Sequence, residues 1–242
     1  MRILVISATS AIARSCVEVW AASGSHEFVL IGRDAAKLAT VAADLEIRFP
    51  GSTFPVEVLD VQAVGEIEAM VHKLGAAQID QVLIAQGSLT DQTRAKADLV
   101  YLEAELELNA VSAALWLEAF AGVLERQGFG NLAAIGSVAS DRGRAYNYSY
   151  AAGKALLDVY VEGLQQRFAD SKVKVCLIQP GPTATPMTST HSGKMASPHA
   201  VAKVIVAGLA RGKRRIYAPG IWRYIMLIVK LIPWTVFKRL NF

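Results

Sequence analysis

A chain of 242 residues, 53% hydrophobic and 19% charged, is long enough for one large α/β core and too short for two comfortable ones. No proline-rich, glycine/serine-rich or low-complexity stretch marks a linker and no fixed period repeats, which excludes solenoid and obviously multidomain organisations. The formal charge of +4 conceals a polarity: residues 1–170 carry 13 basic and 21 acidic side chains, whereas residues 171–242 carry 12 basic and none acidic. Such a basic C-terminal third points to an anionic partner, either a cofactor phosphate, an acidic membrane face or a phosphorylated substrate. Nucleic acid is not expected, because basic motifs flanked by aromatics are absent elsewhere.

In chain order, Arg2 to Ile6 reads as a short buried strand and Ser10 to Ala22 as a helix. The same start offers Met1-Arg2, four apolar residues and Ala11-Ile12-Ala13, but that apolar run is too short for an export signal. Phe28 to Ile31 is a second strand, followed by a helix to Arg48 opened by an Asp34 cap. Further strands are expected at Thr53 to Val58, Gln81 to Ala85, Asn131 to Gly136 and Val173 to Gln179. Helical patterns separate them at about 61–74, 95–127 and 146–169, and a short strand, Ile216 to Ala218, follows the basic cluster Arg211 to Arg215. Cys16 falls in a helix and Cys176 in a strand, as buried hydrophobes rather than a disulfide pair. His26, His72, His191 and His199 have no metal-gathering spacing, so no metal site is expected.

Alternating strands and helices imply a doubly wound α/β fold, one parallel sheet with helices on both faces and ligands beyond the carboxyl ends of the strands. The sharpest features fall at those ends. They are the turn Ser7 to Ala13, then Gly32-Arg33, Asp60-Val61, Ala85-Gln86-Gly87, Ser137 and Pro180-Gly181. Tyr150 and Lys154 are four apart in a helical stretch, so the ammonium can sit near the phenol and favour its ionised form. With Ser137 thirteen residues upstream at a strand end, the trio can move a proton to a carbonyl. An ordinary amphipathic pair on a helix is the competing reading.

On these residues the chain resembles the short-chain dehydrogenase/reductase family along nearly its whole length. The resemblance implies a Rossmann-like sheet, a nicotinamide dinucleotide, and Tyr150 as proton donor to a carbonyl that receives hydride. It makes Lys154 the holder of the nicotinamide ribose that lowers the tyrosine pKa, Ser137 the partner of the substrate oxygen, and Asn109 the holder of a proton-relay water. The family's Gly-x-x-x-Gly-x-Gly turn is here Ser7-Ala8-Thr9-Ser10-Ala11-Ile12-Ala13, with none of its glycines, yet a helix N-terminus rich in serine and threonine still offers groups to phosphate. Cofactor contacts are therefore expected from Ser7, Thr9, Ser10, Ala11 and Ile12. The others are Arg33, Asp60, Val61, Ala85, Gln86, Gly87, Tyr150, Lys154, Pro180, Gly181, Thr183 and Thr185. Ile84-Ala85-Gln86-Gly87 keeps only the last glycine of the family's Asn-Asn-Ala-Gly. Arg33, just past the second strand, suits a 2′-phosphate, so NADPH is expected over NADH; a solvated surface charge is the alternative. Asp34 is read as a helix cap rather than a ribose ligand.

The polar run Met187 to Ser197 looks like the family's substrate lid, flexing at Thr188 to Gly193. Residues 1–220 are taken as the dinucleotide-binding and catalytic domain and 221–242 as a basic, apolar extension. Arg223, Lys230 and Pro233 interrupt that extension, so it does not span a bilayer. Arg223 and Lys230 share a face, leaving Trp222, Ile225, Met226 and Val229 either to lie on an anionic membrane or to pack on the domain or another subunit. The first turn and this tail are similar to the branch that includes decaprenylphosphoryl-2-keto-pentose reductases, which implies a lipid-linked keto substrate. The expectation is an NADPH-preferring carbonyl reductase or alcohol dehydrogenase, interconverting a ketone and a secondary alcohol on a small, hydrophobic or lipid-linked substrate, cytoplasmic or peripheral on the inner membrane face, and a homodimer or homotetramer by family likeness. A non-catalytic dinucleotide-binding or membrane-associated scaffold is the alternative.

Overall fold

Each run of β-branched and leucine residues pairs in parallel with its neighbours in the sheet, because the connecting helices return the chain to the same edge. The computed structural model describes residues 1–189 and 193–240. Its strands are β1 (Arg2–Ile6), β2 (Glu27–Gly32), β3 (Val56–Val58), β4 (Gln81–Ile84), β5 (Phe129–Ile135), β6 (Lys172–Pro180) and β7 (Arg215–Ala218), in the order β3-β2-β1-β4-β5-β6-β7. Ile6 lies opposite both Ile31 of β2 and Ile84 of β4. The carboxyl ends of the three central strands are therefore level at the point where the order reverses, and a crevice opens there.

Helices α1 (Ala11–Ala21), α2 (Ala35–Arg48) and α3 (Val64–Leu74) follow the first three strands. The single helix expected over 95–127 is instead α4 (Gln92–Ala97), α5 (Leu99–Leu106), a π turn (Glu107–Val111) and α6 (Ser112–Gln127). Two aspartates cause the break: Asp91 caps α4 by accepting from Thr93 and Arg94 N–H, and Asp98 caps α5 by accepting from Tyr101 N–H. The β3 ladder is shorter than Thr53 to Val58 because Pro55 has no N–H to give it; Thr53 makes only an isolated bridge to Glu27. Helix α7 runs Tyr148–Arg167. Helix α8 (Pro198–Ala210) was not expected, because its run of valine, isoleucine and alanine carries weak helical periodicity; Ser197 caps it by accepting from Ala200 N–H.

Two apolar layers sandwich the sheet. One packs Trp116, Leu117 and Phe120 of α6 with Leu157 and Val161 of α7; the other packs Cys16 and Trp20 of α1, Leu38 and Leu45 of α2 and Ile205 of α8. Both cysteines are buried and free, with their thiols pushed up by burial. Among the described residues no cluster of metal-ligating side chains occurs, and His191 lies outside them.

The extension forms α9 (Trp222–Leu231) and α10 (Trp234–Phe237). Of its alternatives, packing on the domain is what the structure displays for the face bearing Trp222, Ile225, Met226 and Val229. Met226 and Val229 are buried against Val138, with Trp222, Ile225 and Phe237 beside them. Arg142 fixes the end of α9 by donating to the carbonyls of Val229, Lys230 and Ile232 at 2.5, 3.2 and 2.7 Å, satisfying groups that a helix C-terminus leaves unpaired. Lys230 pairs with the buried Asp141.

Candidate active site

The first turn shows what the missing glycines did. Ser7 takes φ = +61°, the left-handed conformation that glycine adopts without strain. Its carbonyl accepts from Ser10 N–H at 3.0 Å, which closes the turn. Ser10 then stands at the N-cap of α1 with an extended backbone and no side-chain capping bond, so its hydroxyl and the first N–H groups of the helix are open to an anion. Ala11 begins α1, and Ala13 is wholly buried beneath it, a methyl accommodated where the family has its third glycine.

Ser137 follows the end of β5, and its Oγ accepts from Ala139 N–H at 3.1 Å. Tyr150, Lys154 and Asp158 stand one turn apart on α7. Tyr150 stands with Ser137 on the same cavity wall, where the serine favours its ionised form. Lys154 is buried and donates to the carbonyls of Gln86 at 3.1 Å and Ile135 at 3.3 Å, which tether it between the ends of β4 and β5. Its Nζ is 6.0 Å from the centre of the Tyr150 ring. Burial lowers its pKa to about 8, with the Asp158 carboxylate pulling the other way. The expected depression of the Tyr150 pKa by Lys154 is corrected: burial raises it, and the counteracting influence is the Ser137 hydrogen bond. Asp158 is itself pushed up to about 6 by burial, against the hydrogen bond that Ser140 donates at 2.9 Å and the charge of Arg215.

These side chains face a cavity of about 650 Å³ at the carboxyl edge of the sheet. Of the expected residues it gathers Ser10, Ile12, Ala85, Gln86, Gly87, Ser137, Tyr150, Lys154, Pro180, Gly181, Thr183 and Thr185. Gly87 has φ = +148°, and a Cβ there would lie 2.8 Å from both Asn109 Oδ1 and Lys154 Nζ, so only glycine lets the loop pass. Gln86 Oε1 is buried without a hydrogen-bond partner among the described residues. An orphan acceptor beside an open helix N-terminus fits a ligand bearing both hydroxyls and phosphates, as a dinucleotide does. Thr183 is turned back, donating to Gly181 O at 2.9 Å, and Thr185 is tied to Thr188. Part of the expected lid, Thr190 to Ser192, lies outside the described residues.

Ser7, Thr9, Ala11, Arg33, Asp60, Val61 and Asn109 do not line this cavity. Thr9 faces a smaller hollow with Ala36, Lys37, Thr40 and Val41 of α2. Arg33 is exposed and makes no ion pair among the described residues, while Asp34 caps α2 by accepting from Lys37 N–H at 3.0 Å. Asp60 Oδ1 accepts from Gln62 N–H, and the Val61 carbonyl accepts from Ser112 and Trp116. Asn109 sits buried in the π turn, its amide donating to Glu105 O at 3.0 Å and accepting from Ser88 N–H at 3.1 Å. It stands behind Gly87 and steadies the loop next to Lys154.

Sequence reasoning missed the wall formed by Trp222, Ile225 and Val229, and also Arg144 and Lys194, which bring cations to an otherwise apolar lining. Trp222 had a signal: a Cβ on Gly181 would meet its indole nitrogen at 2.0 Å, so the glycine of Pro180-Gly181 is there for the tryptophan. Nothing local marks Arg144.

The reversed strand order and a Ser-Tyr-Lys trio at the switch point define an α/β oxidoreductase of the Rossmann kind. The model of the short chain dehydrogenase family matches residues 1–196. An uncharacterized oxidoreductase of Streptomyces coelicolor is 30% identical over 247 residues, covering 98% of this chain and 95% of the relative. Among solved structures, a short chain dehydrogenase from Burkholderia cenocepacia in complex with NADP superposes with a TM-score of 0.83 at 18% identity, covering 100% and 97% of the two chains. A bulky-bulky ketone specific alcohol dehydrogenase from Comamonas testosteroni gives 0.80 at 18% identity, covering 99% and 94%. The chain belongs to the short-chain dehydrogenase/reductase family and is one of its oxidoreductases.

Proposed function

We propose that the protein is an NADPH-preferring reductase of a bulky, hydrophobic or lipid-linked ketone. The observation that carries this is the convergence of Ser137, Tyr150 and Lys154 on one cavity wall, with the Lys154 ammonium anchored by the Gln86 and Ile135 carbonyls. Bound NADPH would supply hydride to the carbonyl carbon. Ser137 and Tyr150 would hold the carbonyl oxygen between them, and Tyr150 would give it the phenolic proton as negative charge develops. The two carbonyl tethers keep Lys154 from swinging away, so that it would be in place to hold the nicotinamide ribose. Ser10 and the start of α1 are the groups for the pyrophosphate, and Arg33 is the free cation for a 2′-phosphate.

An apolar lining from Leu89, Ile135, Val138, Trp222 and Ile225 favours a hydrophobic substrate, and Arg144 and Lys194 suit one with an anionic group such as a lipid-linked sugar phosphate. Exposed Leu99 and Val100 on α5 with Leu156 and Val159 on α7 support a homodimer or homotetramer. Two reduced thiols and a nicotinamide cofactor suit the cytoplasm. The scaffold reading draws on the Ser7 conformation, since a strained first turn is where dinucleotide binding would first be lost.

Titration with NADPH and NADH, followed by cofactor fluorescence, separates the two. Micromolar binding that favours NADPH and shifts toward NADH in Arg33→Asp supports the reductase, and Tyr150→Phe then binds cofactor without turning over keto substrates. Failure of both cofactors to bind leaves the scaffold.

A further inference from the structure

We propose that the outer face of α9 and α10 docks on an anionic lipid bilayer and thereby sets the mouth of the cavity at the membrane surface. The docking stands on the geometry of the extension; delivery of a lipid-borne ketone from the bilayer rests in addition on the reductase reading.

Helix α9 is apolar on two opposite faces. The inner one, Trp222, Ile225, Met226 and Val229, packs on the domain, and Trp222, Ile225 and Val229 line the cavity. At 100° per residue, Tyr224, Leu227, Ile228 and Leu231 fall on the other side, and they are 61%, 56%, 66% and 73% exposed. Ile221, Trp234 and Val236 extend this surface at 59%, 69% and 51% exposure. Seven large apolar side chains on one short extension make a patch of the kind that marks a binding surface rather than a scatter. The face cannot turn inward, because Arg142 holds three carbonyls at the end of α9 and Lys230 is paired with Asp141.

Charge chooses the occupant. Arg223, Lys238 and Arg239 are exposed around this surface, and none makes an ion pair among the described residues. No acidic residue follows Asp170, so the extension has no carboxylate to repel a phosphate. A second copy of the same face would bring these cations against one another, whereas lipid phosphates neutralise them. Tryptophan and tyrosine at the edge of the patch suit headgroup depth, and leucine and isoleucine at its centre suit the acyl boundary.

The inner and outer faces belong to one helix of ten residues, so the wall of the cavity would also be the part that touches lipid. An amphiphile could then reach Tyr150 with its keto group while its chain stays apolar along α9.

The test is co-sedimentation of the full chain with phosphatidylcholine vesicles with and without phosphatidylglycerol, at low and high salt. Binding that requires phosphatidylglycerol and falls with salt is expected. Ile228→Ser with Leu231→Ser should lower the partition about tenfold or more, and Arg223→Gln with Lys238→Gln should remove the phosphatidylglycerol preference. Both variants should keep the parent melting temperature and NADPH affinity, so loss of vesicle binding is read apart from loss of cofactor binding. Equal sedimentation with and without phosphatidylglycerol, or unchanged binding by the serine variant, would overturn the proposal. So would a serine variant that dissociates an oligomer in analytical ultracentrifugation, which would assign the face to a second copy.

Discussion

Ser7→Gly should stabilise this protein. Ser7 holds φ = +61°, and for a residue with a Cβ the left-handed conformation costs about 1–2 kcal/mol. Glycine relieves that strain but brings back an unfolded-chain entropy cost of roughly 0.5–1 kcal/mol. The balance favours the variant by about 0.5–1 kcal/mol, which for a chain of this size is a rise in melting temperature of about 1–4 °C. The serine hydroxyl makes no hydrogen bond among the described residues, and closure of the turn uses the Ser7 carbonyl instead, so the substitution removes no side-chain partner. Ser7→Ala keeps the strain and should not rise, while Ser7→Val, branched at Cβ, should melt lower than either. Scanning calorimetry of the three variants reads the order directly. A glycine variant that melts at or below the parent temperature would refute the claim that this turn stores strain.

Two further outcomes follow from the site. With reduction requiring protonated Tyr150 and Lys154, kcat/KM should fall as pH rises through the Lys154 value of about 8. Asp158 is ionised above about 6 and supports the Lys154 charge, so Asp158→Asn should move the alkaline limb to lower pH; a limb that stays in place would disconnect the two groups. Gly181→Ala would drive a methyl into the Trp222 indole, which lies 2.0 Å from where that Cβ would stand. It should cost about 1–3 kcal/mol in a urea titration and raise KM, and Trp222→Leu in the same chain should recover part of the loss. Additive losses in the double variant would mean that the two residues do not meet.

The sheet was legible because its strands are short, doubly buried runs of valine, isoleucine and leucine, and their boundaries held to within a few residues. Ser137, Tyr150 and Lys154 were legible because a strand end and an i, i+4 pair are local patterns. What sequence could not give was anything set by distant packing. Asp98 reads as one polar residue in a helix until its backbone turns out and its carboxylate caps Tyr101. The Tyr150 environment depends on which atoms enclose it, and there burial outweighs the influence of Ser137. The role of the tail turned on rotation about one helix axis: of the alternatives left open for its four apolar residues, a membrane or packing on protein, they take the second and face the domain. Arg144 reaches the cavity and Met226 Sδ only because the loop before α7 and the tail are brought together across 82 residues.

Helix α9 also gives the site an order of construction. In chain order the sheet and the Ser-Tyr-Lys trio precede residues 222–231, so the last side of their chamber is supplied by the last part of the chain. A chain stopped at Gly220 would keep every strand and the whole trio, yet offer a water-filled shelf in place of an enclosed room. For such a truncation, loss of activity would mark loss of shelter rather than loss of chemistry.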